Sequence, residues 1–265
     1  MDTFVRKIIY KIPLLYSICK DIVEYKNKKF YQKMKKEHKT IEEIDLKKLK
    51  HDDECYIVGN GPSINSYDLE LIRNKDCFAS NLIFKIFEET DWRPRFYFIQ
   101  DRYARIGDFL NNTEIKYLFI GDYFWRTRKF YNKNAYCYHL KRVKNENEIK
   151  FSHNVYECIY DSCTVTYTMI QMAIFMGYKK IYLLGIDHNY NFIFDKTGKV
   201  VEKNIKKSHF FDDEKPKEVI ANVFMMEAGY LKAKEEAEKL DIAIFNVTRG
   251  GNLNCFLRKN LEETL

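Results

Sequence analysis

Short apolar runs that stop at polar residues alternate along the chain with longer stretches of helical spacing. Residues 54–58 (ECYIV) form the first run, which ends abruptly in Gly59-Asn60-Gly61-Pro62-Ser63, as a buried parallel strand does on entering a tight turn. A helix is expected from about Ser63. Further strands are expected at 75–81, ending at Asn81, at 95–100, stopped by Asp101 and Arg102, and at 115–120, stopped by Gly121 and Asp122. Val165, Met169, Met172, Ala173 and Met176 recur at helical spacing within 162–176, with Gly177 placed to end that helix. The run 180–185 leads into Ile186-Asp187-His188, a long amphipathic helix covers 221–240, and a last strand covers 241–246. Two stretches carry no readable period: the aromatic, Lys-rich region up to about residue 150, and 189–217, which reads as a long loop of the kind that carries function in a compact domain.

Strand, polar stop and helix, repeated four or five times, predict an α/β fold: a Rossmann-like, open, mainly parallel sheet with helices on both faces, over residues 51–265. In such sheets the ligand lies beyond the carboxyl ends of the strands. The residues expected there are all polar: Asn60, Ser63, Asn81, Gln100, Asp101, Asp122, Asp187, His188, Asn246 and Thr248. The Gly59–Ser63 turn is the sharpest of these elements. Its glycines permit close backbone approach, a helix N-terminus offers unpaired N–H groups to phosphate, and Pro62 suits a first helical turn. It is neither G-x-G-x-x-G nor G-x-x-x-x-G-K-[ST], so the bare pattern leaves a phosphate site and a structural turn both open. Of the six histidines, His188 and His209 fall in or beside the expected cleft, and His209 in the long loop is the better general base.

Composition changes this picture little, but charge adds to it. With 46% hydrophobic residues and 20 each of Tyr and Phe among 265, the chain can fill a sizeable core. Residues 1–50 hold 14 of the 45 Lys and Arg but only 7 of the 38 Asp and Glu, so the whole net charge of +7 lies in this first fifth. There Phe4, Ile8, Ile9, Leu14, Leu15, Ile18 and Ile22 sit among Lys and Arg, giving a basic amphipathic helical extension interrupted at Pro13. Residues 1–40 of such a segment suit an anionic membrane surface, and equally suit packing on the domain or on a second subunit of a homo-oligomer. No recognition motif accompanies the charge, which argues against nucleic acid.

The 7 cysteines are scattered, with no C-x-x-C and no histidine at metal-ligand spacing, so free thiols and no metal site are expected. No run of roughly eighteen apolar residues spans a bilayer, and no small-residue cleavage site follows a hydrophobic N-terminus. The expected location is the cytoplasm, with a peripheral position at the inner face of the cell membrane left to the basic segment.

Taken together, I-V-G-N-G-P-S-I, A-S-N, Y-F-I-Q-D-R, T-V-T-Y-T-M-I-Q-M-A-I-F-M-G-Y-K-K-I-Y-L-L-G-I-D-H-N-Y and S-H-F-F resemble a bacterial and archaeal family described as 6-hydroxymethylpterin diphosphokinase-like. The same blocks, over roughly residues 54–250, are similar to the central domain of motility-associated flagellin glycosyltransferases and to bacterial lipooligosaccharide sialyltransferases. The resemblance implies a sialyltransferase-like fold and a cytidine-nucleotide site at Gly59, Asn60, Gly61, Pro62 and Ser63. It extends the site to Asn81, to Ser162, Cys163 and Thr164 before the helix, and to Asp187, with Gln100 and Asp101 as further strand-end members. The transferases carry T-S-G where this chain has Asp161-Ser162-Cys163-Thr164-Val165. A histidine beyond the G-I-D block serves those enzymes as base, a place that His209 takes here, with His188 as competitor and Tyr190 substituting for the tyrosines that meet the departing phosphate.

Three functions follow from the resemblance. One is an inverting, metal-independent, cofactor-free glycosyltransferase that moves a sugar from a CMP-activated donor to a glycan, glycolipid or flagellin acceptor in lipopolysaccharide, capsule or flagellin assembly. The second is an ATP-dependent pterin diphosphokinase, with magnesium held by Asp101 and Asp187. The third is a non-catalytic nucleotide-sugar binding module.

Overall fold

The computed structural model describes residues 13–101, 104, 106, 108–128, 131–143, 145–195, 199–203, 205, 207–211 and 220–265. The apolar runs become β1 (Glu54–Val58), β2 (Cys77–Ser80), β3 (Phe96–Ile99), β4 (Tyr117–Gly121), β5 (Ala135–Tyr138), β6 (Leu140–Arg142), β7 (Ile159–Asp161), β8 (Lys180–Leu184), β9 (Phe192–Phe194), β10 (Val200–Glu202), β11 (Ala243–Asn246) and β12 (Leu257–Arg258). The helices are α1 (Pro13–Lys36), α2 (Ser66–Leu71), α3 (Phe109–Asn112), α4 (Asp122–Thr127), α5 (Val165–Met176) and α6 (Val223–Lys239).

Eight strands form one sheet in the order β12-β11-β8-β1-β2-β3-β4-β5, and every neighbouring pair in it is parallel. Strands covered on both faces need apolar side chains at every position, and β2, β3 and β4 are buried throughout. Alternation divides their side chains between two cores. Ile57, Phe78, Phe96, Phe98 and Phe119 point to the face covered by α5 and α6. Tyr56, Val58, Ala79, Tyr97, Ile99 and Leu118 point to the other face, where Leu69, Trp92 and Leu110 meet them. Chain order runs outward from β1 to β5 on one side and from β8 to β12 on the other, so it reverses between β1 and β8. The carboxyl ends of these two central strands are Gly59-Asn60 and Gly185-Ile186-Asp187, which makes them the place for a ligand in an open sheet of this kind.

Three expectations need correction. The helix after the glycine turn begins at Ser66, not about Ser63, because Asn65 is the better cap: its side chain accepts the Asp68 N–H at 2.8 Å. The segment 189–217 is not without regular structure, since β9 and β10 pair antiparallel within it. The region before residue 150 holds α4, β5 and β6. In the last two cases the strands of three or four residues are too short to establish a period.

Within the basic extension, residues 13–36 form α1, whose second half packs on the domain; Phe4, Ile8 and Ile9 lie outside the described residues. Asn27, Tyr31 and Met34 are buried on one side of α1; Arg126 Nε donates to Asn27 Oδ1 at 3.0 Å, and the Tyr31 hydroxyl donates to the Tyr156 carbonyl at 3.1 Å. Thr40 bridges Cys137 at the free edge of β5. Ile41 and Leu46 join the larger core.

Candidate functional site

The glycine turn is locked between β1 and β8. Gly59 N–H donates to the Leu184 carbonyl at 2.8 Å and Gly61 N–H to the Gly185 carbonyl at 2.9 Å. This close approach requires glycine: a Cβ on Gly59 would stand 2.4 Å from the Gly185 oxygen, and one on Gly61 would stand 1.8 Å from Asp187 Oδ2. Ser63 Oγ donates to that same Oδ2 at 2.7 Å. Burial holds the Asp187 carboxyl above its ordinary range, and Ser63 works against this. Helix α2 starts beyond the turn and its first N–H groups are capped by its own Asn65, so the turn is not the helix N-terminus that the sequence pattern implies.

Three polar atoms at the ends of β1 and β2 are closed off from water with no hydrogen-bond partner among the described residues: Asn60 Oδ1, Ser80 Oγ and Asn81 Oδ1. Asn60 Nδ2 meanwhile donates to the Ser80 carbonyl at 3.1 Å, which aligns the two strand ends. Asn81 holds φ +54°, a left-handed conformation that asparagine tolerates better than most residues. Buried polar atoms are normally paired, and an unpaired one costs roughly 1–3 kcal/mol. Three together leave hydrogen-bonding capacity that a ligand can take up.

On the β8 side, His188 has φ +51° and is buried. Neither ring nitrogen has a hydrogen-bond partner among the described residues; Glu227 Oε1 stands 3.6 Å from Nε2, beyond bonding length. Burial lowers the affinity of this imidazole for a proton, and the Glu227 charge opposes that shift. The rings of Tyr190 and Tyr230 both stand edge-on to His188, at 5.5 and 5.6 Å. Burial raises the Tyr190 phenol well above its usual range. The backbone of Asp187 is held from outside the sheet, its carbonyl accepting the Asn252 N–H at 2.7 Å, and a Cβ on Gly251 would come within 2.7 Å of that carbonyl oxygen.

His209 reaches the turn through its neighbour: Phe210 N–H donates to the Asn60 carbonyl at 3.0 Å. The His209 ring stacks on Phe211 at 5.0 Å. The loop that carries it is braced by Asn191, whose N–H donates to Ser208 Oγ at 3.1 Å and whose side chain accepts the Ile205 N–H at 3.0 Å.

The remaining expected residues border the same edge of the sheet. Thr164 caps α5, accepting the Thr166 N–H, and its hydroxyl is 3.4 Å from that of Tyr230, which links the α5 N-terminus to His188 through one ring. Ser162 Oγ is buried against Gly229 of α6, without a hydrogen-bond partner among the described residues. Cys163 has φ +62° and is exposed at the rim. Gln100 accepts from Thr168 Oγ1 at 2.7 Å and from the Tyr138 hydroxyl at 3.0 Å, so its carbonyl is occupied in fixing α5 to the sheet. Asp101 bears on Asp161 and helps burial raise the Asp161 carboxyl.

Glu227 and Tyr230 complete the rim but carry no local sequence signal. Glu227 and Tyr230 lie in an ordinary amphipathic helix, and only the way α6 packs across α5 brings them to His188. Among the described residues no three His, Cys, Asp or Glu side chains converge as a metal cluster, and no helix is long and apolar enough to cross a membrane.

The chain aligns with the solved structure of the MAf glycosyltransferase from Magnetospirillum magneticum AMB-1 with a TM-score of 0.52 at 15% identity, covering 80% of this chain and 34% of that one. At that identity the likeness establishes the open parallel-sheet fold, and this chain spans about a third of that protein's length. No curated protein matches the chain. A family model matches residues 28–192, from the buried half of α1 through the glycine turn and the Gly185-Ile186-Asp187 block to the first residue of β9. The chain belongs to the 6-hydroxymethylpterin diphosphokinase MptE-like family.

Proposed function

We propose that the chain is an inverting, metal-independent glycosyltransferase that moves a sugar, of the sialic-acid-like nonulosonate class, from a CMP-activated donor to a cell-surface glycan or protein acceptor. The observation that carries this reading is the group of partnerless polar atoms, Asn60 Oδ1, Ser80 Oγ and Asn81 Oδ1, beside a turn whose glycines let the backbone approach a ligand. A pyrimidine nucleotide offers both the amine and hydroxyl hydrogens those acceptors lack and a phosphate for the turn. The fold shared with a glycosyltransferase supports the same reading.

In the proposed reaction His209 takes the proton from an acceptor hydroxyl as that oxygen attacks the anomeric carbon. The bond from this carbon to the phosphate oxygen breaks, and CMP leaves with the electron pair. CMP is already a good leaving group, so positioning and charge neutralisation do most of the work. His209 suits the base better than His188. It is half-buried beside the turn, whereas the His188 ring is nearly enclosed by Tyr190, Tyr230 and Glu227. Tyr190 is assigned to the departing phosphate.

The family description favours a second reading, pyrophosphoryl transfer from ATP with magnesium between Asp101 and Asp187. Those carboxylates face different partners, Asp187 holding Ser63 and Asp101 bearing on Asp161, which fits a shared ion poorly. Calorimetric titration with CMP, CDP, UDP and ATP, each with and without magnesium, separates the readings. Metal-free binding of CMP or CDP supports the transferase, and binding confined to ATP with magnesium overturns it.

A further inference from the structure

Helix α1 has two opposed faces. One packs on the domain through Asn27, Tyr31 and Met34, tied by Arg126 and by the Tyr31 ring stacked on His139 at 5.5 Å. The opposite face carries Ile18, Ile22 and Tyr25, spaced four and three residues apart so that they share one stripe. They are 46, 48 and 67% exposed. Further along the same side the stripe turns basic, with Lys29, Lys33 and Lys36 exposed and Lys26 and Lys28 exposed on its flanks. Residues 18–36 hold seven lysines against the two acids Asp21 and Glu24, and Glu24 faces inward, its carboxylate 3.5 Å from His139 Nε2.

We propose that this face of α1 docks on an anionic phospholipid surface, with Ile18, Ile22 and Tyr25 entering the acyl boundary and the lysines resting among the phosphates. Apolar side chains flanked by lysines are what an interfacial helix requires. A neutral protein surface would match the apolar stripe but not the lysines. Because the other face is fixed to the domain, docking sets the orientation of the whole chain. Lys20 lies close enough to Cys163 for its charge to act on that thiol, so the lipid-facing helix borders the rim that holds the candidate site. The docking does not depend on which nucleotide that site takes.

The test is co-sedimentation of the full chain with vesicles of phosphatidylcholine alone or mixed with phosphatidylglycerol, together with light scattering to follow oligomeric state. The expected result is binding to the mixed vesicles only, weakened by salt. Two triple variants, I18S/I22S/Y25S and K26Q/K29Q/K33Q, each lower the affinity roughly tenfold or more, with thermal unfolding unchanged because all six side chains are exposed. Absence of binding to mixed vesicles overturns the proposal, as does undiminished binding by both variants. A dimer that I18S/I22S/Y25S abolishes would overturn it too, since the stripe would then cover a second copy.

Discussion

Phe210 donates its backbone N–H to the carbonyl of Asn60 at 3.0 Å, which fastens the 208–211 segment to the glycine turn. Two parts of the chain some 150 residues apart thereby form one wall, and the residue before Phe210 is the proposed base. If His209 is that base, His209→Ala lowers kcat by roughly 10²–10⁴-fold and leaves the dissociation constant for CMP unchanged in calorimetry. A large loss of CMP affinity with little change in turnover would mean that the ring holds the donor instead.

The glycines of the turn provide a sharper structural contrast. Gly61→Ala places a methyl group 1.8 Å from Asp187 Oδ2 and 2.7 Å from the Gly185 carbonyl oxygen, and the backbone clash forces the turn away from β8; the expected result is loss of nucleotide binding together with about 1–3 kcal/mol of stability. Gly177→Ala meets nothing within 4 Å but must hold φ +93°, so it costs a similar ~1–3 kcal/mol from backbone strain alone. Its nucleotide affinity should equal that of the parent chain. Equal binding by both variants would detach the turn from the ligand.

These contrasts also show what the sequence carried and what it did not. The sheet was legible because β1, β2, β3, β4 and β8 are buried on both faces and so read as unbroken apolar runs, each stopped by a polar residue. The helix that ends at Gly177 was legible for the same kind of reason, since a left-handed cap selects glycine. The cap at Asn65 was hidden behind Pro62 and Ser63, which have helix-starting chemistry of their own. The pairing of β9 with β10 leaves no trace in the sequence because three residues cannot display alternation. Nor could any local pattern reveal that Glu227 approaches His188, 39 positions earlier in the chain, because that contact is made by helix packing.

His188 gives stability a pH dependence of defined sign. Burial lowers its folded-state proton affinity below the ordinary histidine value of 6.5, so at pH below that value the unfolded chain binds a proton that the folded chain resists. Stability contributed by the neutral ring is complete above about pH 6.5 and is lost as pH falls from there through the lower folded value. Asparagine tolerates the left-handed backbone at this position, so His188→Asn should flatten the fall in melting temperature between about pH 7 and pH 5. An unchanged slope would place the titration responsible on another group.

Asn81 separates binding from folding most directly. Its side-chain oxygen is buried without a partner among the described residues and its backbone is left-handed at φ +54°. Glycine keeps that backbone without strain and removes the orphaned side-chain oxygen. Asn81→Gly should therefore leave the melting temperature unchanged or raise it, while weakening nucleotide binding by roughly 1–3 kcal/mol, about 5- to 150-fold, because the ligand loses a hydrogen-bond acceptor. The opposite signs are the useful part. A residue retained for stability would lose both quantities together when replaced, and a residue with no role would change neither. Lower stability with unaltered CMP affinity would move the ligand away from the ends of β1 and β2, and the partnerless atoms there would need another explanation.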